Sequence, residues 1–235
     1  MKTIGLIGGM SWESSLEYYR LINQAVRARL GGLHSARCVM LSLDFAEIEI
    51  LQRENRWDEA ADILIDATRA LAAAGAELAV LCTNTMHKLA GQMETTGVLP
   101  LLHIADATAS RVLADGLNTI GLLGTRYTME EDFYRGRLEE RFGLRVLVPP
   151  ERDRAIVNNV IYDELVQGIL AESSRGQYRR VMADLAGAGA QGVILGCTEI
   201  GLLVSGPDSP VPLYDTTRIH ADAAVDWALS EDSAA

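Results

Sequence analysis

Ala74-Gly75-Ala76-Glu77-Leu78-Ala79-Val80-Leu81-Cys82-Thr83-Asn84-Thr85 and Ala188-Gly189-Ala190-Gln191-Gly192-Val193-Ile194-Leu195-Gly196-Cys197-Thr198-Glu199 are one pattern written twice. Each runs Ala-Gly-Ala, a polar residue, a short apolar strand and a polar turn. The offset of 114 aligns Thr83 with Cys197 and Cys82 with Gly196. Working outward, Thr3-Ile4-Gly5-Leu6 returns as Thr119-Ile120-Gly121-Leu122, and Pro100-Leu101 returns as Pro212-Leu213. Internal repetition reports repeated architecture. Two copies are too few for a solenoid and fit two related halves. The expected fold class is therefore α/β: two pseudo-symmetric α/β domains with parallel sheets and an active site in the cleft between them, a preferred position for ligands. The expected first domain is residues 1–100 plus a C-terminal helix over about 214–230. The expected second domain is residues 101–213.

Strands are expected at Thr3–Ile7, 36–44, 76–82 and Leu99–Leu102, then again at 118–123, 144–148, 191–196 and 211–214. The first ends in Gly8-Gly9. Ser11 can cap a following helix, on which Leu16, Tyr19, Ile22 and Val26 recur at helical spacing and which Gly31-Gly32 ends. Residues 44–56 read as a loop with a helical turn, and 58–74 as an Ala-rich helix stopped by Gly75. Further helices are expected at 129–142, 151–171, 174–187 and 216–229, with a polar tail from 230 to 235. Strands alternating with helices imply parallel sheets covered on both faces. Ligands in such sheets sit at the carboxyl ends of strands.

Composition narrows the partners. The chain has 235 residues, 49% of them hydrophobic, which excludes general disorder. Its net charge of −11 argues against a nucleic-acid or anionic-membrane surface. No apolar run approaches the roughly 18 residues of a membrane span, and MKTIGLIGG is too quickly polar for a signal peptide. The three cysteines, Cys38, Cys82 and Cys197, read as reduced thiols of a cytoplasmic protein. Only two lysines occur, Lys2 and Lys88, and neither is an obvious Schiff-base residue, so pyridoxal phosphate chemistry is not expected. Cys82 and His87 lack a second pair of ligands at zinc spacing, so no metal is expected.

Gly5-x-x-Gly8-Gly9 is neither a dinucleotide fingerprint nor a P-loop. It is either a tight turn needing positive φ or a carboxylate-binding turn at a helix start. Cys38 lies inside a strand and reads as core. Cys197 follows the end of its apolar run, where neighbouring N–H donors and a helix start can favour a thiolate. A thiolate can serve as nucleophile or as proton-transfer base. A nucleophile would call for a histidine, and His87, His103 and His220 leave that open. His87 either faces a ligand or satisfies a turn.

The segments IGLIGGMS at the start, LCTNTMH at 81–87, GLLGTRYT at 121–128 and GCTE at 196–199 together resemble the cofactor-independent aspartate/glutamate racemase superfamily, over essentially the whole chain. The resemblance implies two α/β halves, no cofactor, a homodimer and a small amino-acid substrate. It also implies two catalytic cysteines on opposite sides of the substrate Cα. This sequence departs there: the usual Cys-Asn-Thr-x-His is Thr83-Asn84-Thr85-Met86-His87, with Cys82 one residue early. A shift of one residue on a strand turns a side chain to the other face, so Cys82 is expected to pack away from substrate.

The expected catalytic pair is thus Thr83 and Cys197. An alcohol ionises far less readily than a thiol of pKa about 8.5. Cys197 is therefore expected to abstract the α-proton, which the resemblance implies is that of the L-enantiomer, and Thr83 to deliver or relay a proton to the other face. Expected substrate-binding residues are Met10 and Gln52, with Asn84, Thr85, Thr125, Tyr127, Thr128 and Thr198 cradling the α-carboxylate and α-amine. Each threonine can also cap a helix. Glu199 either binds the α-ammonium or caps its helix dipole. Gln52 as a neutral donor, and the absence of lysine from Ile161-Tyr162-Asp163-Glu164-Leu165-Val166, suit a substrate range from aspartate and glutamate to neutral polar amino acids. Two other readings stand beside the racemase: a single-cysteine decarboxylase of malonates, and a non-catalytic amino-acid-binding protein.

Overall fold

The computed structural model describes residues 1–230, so the tail expected beyond Ser230 lies outside the described residues. The chain divides into two compact units, Met1–His103 with the chain from His220 on, and Ile104–Ile219.

The first unit is built on strands β1 (Ile4–Gly8), β2 (Cys38–Ser42), β3 (Leu78–Leu81) and β4 (Leu101–Leu102). They form one parallel sheet in the order β2-β1-β3-β4. Helices α1 (Trp12–Leu30), α2 (Phe45–Arg53), α3 (Trp57–Ala73) and the short α4 (Ala90–Thr95) accompany it. Side chains alternate across a strand, and two cores follow. Ile4, Leu6, Leu78, Val80 and Cys82 pack with α1 and with Ala221, Ala224, Val225 and Ala228. Ile7 and Leu81 pack with α2 and α3 on the other face, together with Met10 and Met86.

The second unit contains α5 (Ile104–Ala114), β5 (Thr119–Gly124), α6 (Arg126–Glu130), β6 (Arg145–Leu147), α7 (Glu151–Asp163), α8 (Glu172–Gly187), β7 (Val193–Gly196), α9 (Ile200–Leu203) and β8 (Leu213–Asp215). Its sheet is again parallel, in the order β6-β5-β7-β8. The register repeats as well as the order. Gly5 pairs with Ala79 and Ala79 with Leu101; at the repeat offsets, Gly121 pairs with Val193 and Val193 with Leu213. Thr83 and Cys197 therefore stand at the same place in their own sheets, two residues past the paired Leu81 and Leu195.

Helix α10 (Thr216–Leu229) contributes its first residues to the second unit and the rest to the first, so the division falls at Ile219–His220. Each of the eight expected strand positions carries a strand. Several helical expectations change. Residues 45–53 form a regular helix capped by the Asp44 side chain, which accepts from Ala46 N at 3.0 Å. The helix expected over 129–142 splits into α6 and a π-turn, Arg137–Arg141. The one expected over 151–171 stops at Asp163, followed by a 3-10 turn, Leu165–Gln167, that ends on Gly168 at φ 73°. Helices α4 and α5 were not expected. On α1, Ile22 and Val26 are buried with Tyr18 and Leu21, whereas Leu16 and Tyr19 face outward. Among the described residues no helix is long and apolar enough to cross a membrane.

Candidate active site

The first unit's candidate residues begin where β1 ends. Gly9 has φ 89°, and a Cβ there would meet Leu43 O at 2.0 Å, so only glycine fits. The Gly9 N–H donates to Ser15 Oγ at 2.7 Å, and Ser15 Oγ donates to Ser11 O at 2.9 Å. Ser11 Oγ caps α1 by accepting from Ser14 N at 3.3 Å. The Gly9 N–H is thus used inside the turn, as the tight-turn reading of Gly8-Gly9 expects. Met10 is buried against α2 and α3. Ser14 Oγ donates to Cys82 O at 2.9 Å and so ties the first turn of α1 to the end of β3.

Thr83, Asn84 and Thr85 follow β3 directly and open a 3-10 turn, Thr85–Leu89. Thr83 is 9% exposed, and its carbonyl accepts from His87 Nδ1 at 2.7 Å. His87 therefore shapes the turn by holding the Thr83 peptide. Gln52, on α2, donates from Nε2 to Met86 Sδ at 2.9 Å, which sets it beside the same turn. Cys82 shares its face with Leu78 and Val80 and is fully buried in the α1 core, where desolvation and the neighbouring Cys38 push its thiol upward. Lys2 and Lys88 lie over the rings of Trp227 and Trp57, at 4.8 and 4.0 Å.

Near this turn in the first unit sit three buried histidines. The ring of His87 lies 4.6 Å from that of His103 and 5.7 Å from that of His220. His220 Nε2 donates to Leu102 O at 2.9 Å, so its Nδ1 accepts from Tyr18 OH at 2.8 Å. Burial lowers the pKa of His220 to about 4, and burial with the other two histidines lowers that of His87 well below its usual value. Both are neutral when folded but protonate near 6.5 once unfolded. The unfolded chain thus binds extra protons below pH 6.5, and stability falls as pH drops from there toward 4. The shift on His220 corresponds to about 3 kcal/mol at full expression. Urea midpoints should fall between pH 7 and pH 5, and His220→Asn should flatten that dependence. An unchanged slope in the variant would remove His220 as a cause.

In the second unit, Gly124 and Gly196 face each other in register, and a Cβ on either would approach a strand carbonyl at 2.8 Å. That absence of side chains brings the turn after β5 close to the end of β7. Thr125 caps α6, accepting from Thr128 N at 3.3 Å, and the two hydroxyls lie 3.2 Å apart. Thr128 is fully buried beneath the turn, and Tyr127 is half-buried. The Arg126 N–H donates to Asn158 Oδ1 at 2.9 Å, anchoring the turn to α7.

Cys197 is 9% exposed, the same as Thr83. Its Sγ–H donates to Glu199 Oε2 at 2.9 Å, and Thr198 Oγ1 donates to the same oxygen at 2.7 Å. Burial raises the Cys197 pKa most, then the Glu199 charge and hydrogen bond, against smaller opposing contributions from the Glu199 and Thr198 N–H groups. The resting group is therefore a thiol, not the thiolate the sequence suggested. The physical reason is local: α9 has only 4 residues, too short for an effective dipole, and a carboxylate sits against the sulfur. Glu199 makes no side-chain cap to α9, and its role beside Cys197 was missed. The adjacency Cys197-Thr198-Glu199 was the available signal. Among the described residues no group of three or more His, Cys, Asp or Glu could hold a metal ion.

The model of the Asp/Glu/hydantoin racemase family matches residues 7–224. The chain belongs to that family. It is 57% identical to a candidate Asp/Glu racemase from Yersinia pestis, covering 98% of this chain and all of that one (100%), with a TM-score of 0.92. It is 34% identical to an aspartate racemase homologue from Pyrococcus horikoshii, over 98% of this chain and 100% of the other, TM-score 0.85. A glutamate racemase from Francisella tularensis, solved with D-glutamate, shares the fold at 14% identity and a TM-score of 0.64, over 96% and 80% of the two chains.

Proposed function

We propose that this chain is a cofactor-independent racemase of amino acids, aspartate and glutamate foremost, with Cys197 and Thr83 as its two proton-transfer groups. The observation that carries the reading is the Cys197–Glu199 hydrogen bond at a position whose register equivalent in the other sheet is Thr83. Racemisation removes the α-proton from one face and returns a proton to the other, so two groups are required. Glu199 takes the thiol proton, and the thiolate then abstracts the α-proton of the L-enantiomer. The Thr83 hydroxyl gives its proton to the opposite face while taking one from water. The hydroxide so formed and the proton held on Glu199 are both released to bulk solvent, where they recombine, and the site is reset. Thr125, Tyr127 and Thr198 are assigned to the substrate's α-groups with Asn84 and Thr85. Met10 and Gln52 are assigned to its side chain, with Thr128 supporting the turn beneath.

The two enantiomers are equally stable, so kcat/KM must be equal in both directions. An L-preference appears only as unequal kcat and KM. The test is α-proton exchange in D₂O, followed by NMR across a panel of L- and D-amino acids. Exchange of L-aspartate or L-glutamate that weakens by about 10²-fold or more in Thr83→Ala and survives Cys82→Ala supports the assignment. Loss in Cys82→Ala with tolerance of Thr83→Ala would transfer the second role to Cys82. Release of CO₂ from malonates without exchange would make the chain a decarboxylase.

A further inference from the structure

Thr83 is held by a histidine that the repeat does not give to Cys197. Three hydrogen bonds occupy the peptide groups beside the Thr83 Cα. Ser14 Oγ donates to Cys82 O at 2.9 Å, the Thr83 N–H donates to Leu81 O at 2.8 Å, and His87 Nδ1 donates to Thr83 O at 2.7 Å. Both flanking carbonyls and the N–H are thus engaged. That fixes the direction of the Cα–Cβ bond and leaves only χ1 to the hydroxyl. The His87 ring is itself locked by packing: it is buried against the rings of His103 and His220, and His220 is bonded at both nitrogens, to Leu102 O and Tyr18 OH. In the second unit the offset of 114 sets Gly201 in the place of His87. A Cβ on Gly201 would meet Asp215 Oδ2 at 3.2 Å, and the pairing of Pro100-Leu101 with Pro212-Leu213 sets Asp215 in the place of His103. The Cys197 carbonyl accepts from a backbone donor, Ile200 N, at 3.2 Å.

We propose that His87, with Ser14, is a positioning residue for proton transfer by Thr83 and serves the hydroxyl half of the reaction alone. The inference rests on the assignment of that transfer to Thr83. The asymmetry follows the chemistry. Cys197 has a carboxylate, Glu199, to take its proton. An alcohol ionises far less readily than a thiol, so the aim of the Thr83 hydroxyl must supply what its acidity does not. A misplacement of about 1 Å costs on the order of 10²-fold in rate. The bond from His87 runs to the peptide oxygen, so its effect passes through the backbone of Thr83.

Polarimetry of L-glutamate and L-aspartate racemisation by the full chain tests this. His87→Leu keeps bulk and removes the donor. It should lower kcat by about 10- to 10²-fold and leave KM within about two-fold. His87→Asn returns a donor at the Nδ1 position and should recover most of the loss. In a Thr83→Ala background, His87→Leu should cost nothing further, because residues acting through one group are not additive. A second multiplicative loss there would assign His87 to the fold at large and overturn the inference, as would a wild-type kcat in folded His87→Leu. Far-UV circular dichroism checks folding. Ser14→Ala removes one hydroxyl and carries the test independently: kcat should fall by about 3- to 10-fold, and only where Thr83 is present. Undiminished activity in both Ser14→Ala and His87→Leu defeats this inference and spares the role of Thr83. Undiminished activity in Thr83→Ala defeats that role and the inference with it.

Discussion

Cys197→Ala is expected to reduce α-proton exchange of every substrate by at least about 10³-fold, within the range that a lost acid–base group commands. The size of the effect follows from the arrangement at the end of β7. Glu199 Oε2 accepts from both Cys197 and Thr198, which places the carboxylate to take the proton of the thiol. No other thiol in the second unit can replace the sulfur, because Cys38 and Cys82 belong to the first. Serine at this position keeps the shape and loses the acidity, and should be nearly as inactive as alanine. Glu199→Gln removes the acceptor of the thiol proton while preserving size, so it should lower kcat and leave KM nearly unchanged. Unaltered binding of a substrate by isothermal calorimetry, beside abolished exchange, would assign the loss to chemistry. Substantial exchange by Cys197→Ala would end the assignment.

Gly9→Ala is expected to cost about 3–5 kcal/mol, combining the left-handed backbone penalty with severe overpacking. The added carbon would stand 2.0 Å from Leu43 O and 2.5 Å from Leu43 N. Leu43 cannot yield easily, since its N–H donates to Gly8 O at 3.0 Å and continues the β1–β2 pairing. Gly31 gives the control. It also has positive φ, 74°, but a Cβ there meets nothing within 4 Å, so Gly31→Ala should carry the backbone penalty alone, about 1–3 kcal/mol. Guanidinium midpoints of the two variants should therefore separate clearly. Equal midpoints would show that the turn relaxes around the clash.

The strands were legible because parallel strands buried on both faces are short, continuous apolar runs, and because the second half repeats the first. The repeat also located Thr83 and Cys197, since register is inherited with sequence spacing. Three features were not legible. Helix α5 follows β4 after a single residue, His103, where a domain boundary was expected, and its alanines and threonines carry a weak periodic signal. On α1 the apolar residues cover more than one face, so spacing alone could not tell Leu16 from Ile22. The link from Glu199 to Cys197 depends on a turn that brings i and i+2 together, which neither helix nor strand periodicity encodes.

The path of α10 bears on how the chain is made. Ile104–Ile219 is an uninterrupted stretch, so its unit can close as soon as it has been synthesised. The unit begun by β1 cannot. Ala221, Ala224, Val225 and Ala228 supply part of the wall against which Ile4, Leu6 and Cys82 pack, and these alanines and the valine follow the whole of the inserted unit in the chain. Strands β1 to β4 must wait for α10, and in vectorial synthesis the inserted unit matures before the one that surrounds it in sequence.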